Sequence, residues 1–120
     1  MPSLEDKRQN AIDASRALIT LLVRCGELHW PARIHRILDA LTDYKLDDAI
    51  DCYQAIPMGS MGGLLDLILC TENGHTVRNA DADNALLGAA IGALGKTIGN
   101  LRVYMRHELD HPLVPIPDAA

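Results

Sequence analysis

The chain reads as a mainly α protein: a compact bundle of about four helices, with a glycine-rich loop and room for one short β-hairpin. Three observations predict this. Apolar residues recur at spacings of three and four through most of the chain. The core has no Phe to draw on, only one Trp and three Tyr, so it must be filled by aliphatic residues that suit helices better than a β-sandwich. The length, 120 residues, is that of one core. Residues 1–111 therefore read as a single helical domain and 112–120 as a proline-rich C-terminal tail.

Ser3 with Glu5 and Asp6 behind it forms an N-cap and an acidic first turn. Ala11, Ala14, Leu18, Leu22 and Cys25 continue at helical spacing, predicting a helix from about Leu4 to Cys25 with Gly26 as its C-cap. Pro31 suits the first turn of a second helix, whose one-sided stripe is Trp30, Ile34, Ile37, Leu38 and Leu41. A third, shorter helix runs from about Leu46 to Ala55, with Leu46, Ala49, Ile50 and Tyr53 inward and Pro57 ending it.

Met58-Gly59-Ser60-Met61-Gly62-Gly63 holds too much glycine for a helix interior and reads as a tight loop. It lacks both the Gly-Lys-Ser/Thr ending of a P-loop and the Gly-x-Gly-x-x-Gly spacing, so a structural turn is preferred to phosphate binding. After the apolar run Leu64–Cys70, the Asn73-Gly74 pair favours a type I′ turn and admits a short two-stranded hairpin resting on the helices. The last helix starts near Asn79 or Asp81, and its seam is Leu87, Ile91, Leu94, Ile98, Leu101 and Met105. Gly88, Gly92, Gly95 and Gly99 follow one residue on, about 100° around the axis. Each costs about 1 kcal/mol against Ala, so close approach of a neighbouring helix is the expected reason, with a homodimer face as the alternative.

Sixteen acidic against eleven basic residues leave a net charge of −5, which repels phosphate backbones and anionic lipid. No nucleic-acid or membrane partner is expected, and a basic protein is. Cys25, Cys52 and Cys70 are odd in number and widely spaced, as suits buried reduced thiols in a cytoplasmic protein. The N-terminal residues lack the pattern of a signal peptide.

His107-Glu108-Leu109-Asp110-His111 satisfies His-Glu-x-x-His, the spacing that sets two zinc ligands on one helix face with a general base between them. Only nine residues follow, none of them His or Glu, and Pro112 disfavours helical geometry at His111. The preferred reading is a polar helix end with no metal and no cofactor. A small zinc hydrolase using His107, Glu108 and His111 is the alternative. The denser feature is acidic: Asp39, Asp43, Asp47, Asp48 and Asp51 fall within thirteen residues. They form either a solvated face or a docking surface.

Gly26-Glu27-Leu28-His29-Trp30, the segment Met58 to Leu67 and Asn73-Gly74-His75 together resemble a family of small bacterial proteins catalogued as a domain of unknown function. The likeness spans about residues 15–105. Leu65 stands where that pattern has Asn before the aspartate, so any polar role there is lost. The resemblance implies no enzyme activity, and proteins of this kind look like immunity proteins of bacterial toxin systems. The expected function is therefore binding and neutralising a cognate toxin, a basic one. The expected contacts are Asp39, Asp43, Asp47, Asp48 and Asp51, and in addition Glu72, Asn73 and His75. A homodimeric scaffold through the glycine row is the remaining alternative.

Overall fold

The computed structural model describes residues 3–58 and 63–110, the last three through their backbone only. Four helices carry the fold: α1 (Leu4–Arg24), α2 (Pro31–Thr42), α3 (Leu46–Gln54) and α4 (Ala80–Asp110). Short 3-10 turns at Leu64–Asp66 and Thr71–Asn73 lie between α3 and α4. α1 packs against both α2 and α4, α3 packs on α2, and α3 also touches α4. The helical expectation holds, and no strand occurs among the described residues.

Each helix end has a local cause. Ser3 and Asp6 form a reciprocal capping box, in which the Ser3 Oγ accepts from the Asp6 amide and the Asp6 carboxylate accepts from the Ser3 amide. α1 ends in a Schellman motif: Gly26 takes φ +74°, its amide donates to the Val23 carbonyl, and the Glu27 amide donates to the Leu22 carbonyl. Pro31 occupies the first turn of α2. Asn79 opens α4 by accepting from the Ala82 amide.

The seams predicted for α1, α2 and α4 are the core. Leu18, Leu22, Ile34, Ile37, Leu41, Leu94, Ile98 and Leu101 are fully buried, joined by Leu64 and Leu69 from the connection between α3 and α4. No helix among the described residues is long and apolar enough to cross a membrane.

Two expectations need correction. The hairpin at Asn73-Gly74 is absent. A type I′ turn needs positive φ at both residues, but only Gly74 adopts it, at φ +84°. The segment instead closes on itself. The Asn73 and His75 amides both donate to the Cys70 carbonyl, and His75 Nδ1 accepts from the Cys70 amide at 3.2 Å, taking a donor that a paired strand would have used.

The glycine row is the second. A methyl group on Gly88, Gly92 or Gly99 would meet no described atom within 4 Å, so no neighbouring helix explains them. Only Gly95 fits the expected reason, since a Cβ there would sit 2.8 Å from the Tyr53 hydroxyl. The loop at 59–62, His111 and the tail at 112–120 lie outside the described residues.

Candidate partner-binding surface

The acidic residues gather where α2 turns into α3, and the chain reverses there in two residues. Tyr44 has φ +60°, its amide donates to the Leu41 carbonyl, and the Lys45 amide donates to the Ala40 carbonyl. This is the Schellman geometry that ends α1, with tyrosine in the place that Gly26 fills there. A side chain in the left-handed region costs about 1–2 kcal/mol, so something must hold it.

Arg8 of α1 does so. Its Nη1 donates to the Leu41 carbonyl at 2.8 Å, Nη2 donates to the Tyr44 hydroxyl at 2.9 Å, and the guanidinium lies 3.8 Å from the Tyr44 ring centroid. Glu5 accepts from Arg8 Nε and Nη2. Hydrogen bonding to Arg8, with its nearby charge, holds the Glu5 carboxyl below its ordinary range. The corner is thus pinned to α1 by a buried arginine, while Tyr44 as a whole residue remains 64% exposed.

Around this pin Asp39, Asp43, Asp47, Asp48 and Asp51 are all exposed, and none is in an ion pair or side-chain hydrogen bond among the described residues. Asp47 and Asp48 lie in the first turn of α3, where the helix dipole favours negative charge. Asp39 and Asp43 are placed against it: Asp43 is the C-cap of α2, Asp39 is one turn earlier, and no basic residue shares that turn. A shallow recess of about 330 Å³ lined by Tyr44, Lys45, Leu46, Asp47, Asp48 and Met105 adjoins them.

The other predicted contacts are elsewhere. Glu72 and Asn73 are exposed on their 3-10 turn, but that turn docks on the ends of α1 and α2 away from the acidic corner, where the Thr76 amide donates to the Cys25 carbonyl. The 12 residues of α2 put about 18 Å between the two regions. His75 is only 7% exposed. Its Nε2 lies 3.8 Å from Glu27 Oε1, and Glu27 Oε2 accepts from the amides of His29 and Trp30 at 2.9 and 2.6 Å. Gly26, Glu27 and Trp30 therefore form one device: a left-handed stop, a carboxylate on the two amides just before α2, and a buried indole.

His107 is exposed on α4, which continues in helical geometry to Asp110. No group of three or more potential metal ligands occurs among the described residues. The three thiols differ. Cys25 is buried, its thiol pushed up by burial and then by the charge of Asp83, whereas Cys52 and Cys70 are half-buried.

Sequence reasoning missed Arg8, Tyr44 and Glu27. For Glu27 the signal was its place between a C-cap glycine and Pro31. For the tie from Arg8 to the corner there was none, since Leu41 and Tyr44 are 33 and 36 residues away. Comparison of the chain with protein-family models, curated proteins and solved structures finds no match.

Proposed function

We propose that the chain is an immunity-type protein acting in the cytoplasm, one that binds and neutralises a cognate bacterial toxin through the α2–α3 corner. The observation that carries this reading is the set of five exposed aspartates, none of them ion-paired among the described residues, around a corner pinned by Arg8. Two of them, Asp39 and Asp43, stand where they oppose the helix dipole. Charge kept at a cost to folding suits a surface selected for a basic partner, since acidic patches steer encounter and choose among partners. Tyr44 adds an aromatic of the kind that anchors interfaces, held in one orientation before contact.

Co-expression with the protein encoded immediately upstream, followed by pull-down and a growth assay, tests the proposal. The expected outcome is a toxic neighbour that is bound and silenced by this chain, with silencing lost when Asp39, Asp43, Asp47, Asp48 and Asp51 become Asn. A neighbour that is neither toxic nor bound overturns it.

A homodimeric scaffold is the second reading, favoured by the open surface at Gly88, Gly92 and Gly99. Gly92→Leu then shifts the chain from dimer to monomer in size-exclusion chromatography. A monomeric parent chain rejects that reading.

A further inference from the structure

A second surface lies at the far end of α1 from Arg8. Where α1 and α4 run side by side, Ala17, Thr20 and Leu21 face Leu86 and Ala90 across an open, mostly apolar groove of about 420 Å³. Leu86 is 54% exposed, with apolar side chains on both walls of the groove. Ala82, Ala85, Ala89 and Ala93 are exposed on α4 beside it, leaving a surface of small side chains that another backbone can approach closely.

The rim has a sign. Arg16 and Arg24 line the groove and no acidic residue does. Arg24 also donates to the buried Asp83 at 2.9 Å, which fixes its guanidinium at the groove edge with its side chain 44% exposed and offsets part of its charge. Arg16, with no ion pair among the described residues, is therefore the stronger cation of the rim. On a chain of net charge −5, a basic-rimmed apolar groove departs from the average surface and is opposite in sign to the α2–α3 corner.

We infer that this groove receives an amphipathic helix of a partner protein, its apolar face on Leu21, Leu86 and Ala90 and its acidic flanks beside Arg16 and Arg24. A helix laid in a groove needs an apolar strip to bury its anchors and wall charges opposite to its flanks, and the groove offers Leu21, Leu86 and Ala90 as the strip and Arg16 and Arg24 at the walls. Arg8 and Arg24 are 16 positions apart on one helix, about 24 Å, so this surface and the acidic corner can be occupied together. The inference is independent of the toxin-binding reading.

The test uses the full chain and two fluorescein-labelled amphipathic helical peptides with the same leucine face, one flanked by Glu and one by Lys. Fluorescence anisotropy is expected to show binding of the Glu peptide alone. Amide NMR shifts should centre on Thr20, Leu86 and Ala90. Leu86→Asp should weaken binding about tenfold or more, and Arg16→Glu should reverse the peptide preference. Both positions are exposed, and circular dichroism checks that the variants fold.

Equal binding of both peptides, binding of neither, or shifts centred on the acidic corner overturns the inference. So does a parent dimer that Leu86→Asp makes monomeric, which assigns the groove to a second copy. Binding that appears only after removal of residues 112–120 assigns it to that segment and overturns it too.

Discussion

The Arg8 guanidinium stacks 3.8 Å from the Tyr44 ring centroid while its Nη2 bonds to the Tyr44 hydroxyl, joining the first helix to the one non-glycine residue with positive φ among the described residues. Tyr44 thus has two opposing terms: a backbone cost from its left-handed conformation and a side-chain gain from Arg8. Removing one term at a time separates them. Tyr44→Gly in an Arg8→Met background should raise stability by about 1–2 kcal/mol, the cost of the left-handed conformation. In the native background the gain should be smaller or reversed. Urea denaturation of the four proteins measures the difference, and equal effects in both backgrounds would show that Arg8 does not hold the turn.

The glycines of α4 divide by what lies over them. Gly88→Ala and Gly92→Ala should each stabilise by about 0.5–1 kcal/mol, because both are in a helix interior with open space where the methyl goes. Gly95→Ala should gain less or lose, since the Tyr53 hydroxyl would have to move away from a Cβ 2.8 Å distant. Thermal melts of the three variants settle the order. A loss at Gly92 would point to a contact made by another molecule.

How far the sequence spoke depended on range. The capping of α1 by Ser3, the Gly26 stop, Pro31 and the seam from Leu87 to Met105 are local patterns with helical period, and each stands where it was expected. The Asn-Gly turn failed because His75 and Cys70, five residues apart, satisfy each other, and a side chain competing for a backbone amide leaves no periodic trace. The glycine row failed because a sequence shows that four glycines align, not what stands opposite. Of the candidate site, the aspartates were visible as a charge run. The arginine that shapes their corner was invisible, and His75 read as a surface residue when it is a buried tie.

Acid should weaken the fold through Asp83. Hydrogen bonding from Arg24 leads the forces that hold its carboxyl below the ordinary 3.8, helped by the amides of Arg78 and Asn79. A carboxyl lowered in the folded state contributes stability that is fully present above the unfolded value. That contribution is lost as pH falls through the folded one. Asp83→Asn should therefore be less stable at neutral pH and should lose less stability than the parent below the ordinary carboxylate range. Parallel urea melts from neutral to strongly acidic pH check the slopes, and identical slopes would remove Asp83 from the account.

Thiol labelling reports on the core. Cys25 is buried with its thiol pushed up, so in the native protein Cys52 and Cys70 should react with a maleimide while Cys25 stays protected until the chain unfolds. Mass spectrometry of the labelled peptides reads the order. Early labelling of Cys25 would mean that the end of α1 opens readily despite the bond from Thr76.

The aspartates at the end of α2 offer the sharpest separation of folding from function. Both Asp39 and Asp43 add negative charge at the end of α2, where the helix dipole already places it, and the last turn of that helix holds no basic residue. Neutralising either should stabilise the fold by about 0.3–1 kcal/mol at low ionic strength, with the gain fading as salt screens the dipole. If the corner is the docking surface, the same change should slow association with the basic partner, because outlying charges act on encounter more than on lifetime. Stability and binding would then move in opposite directions in Asp39→Asn and Asp43→Asn. A chain that gains stability with no change in association rate would identify these residues as a solvated face and move the search for the partner surface to Tyr44, Asp47 and Asp48.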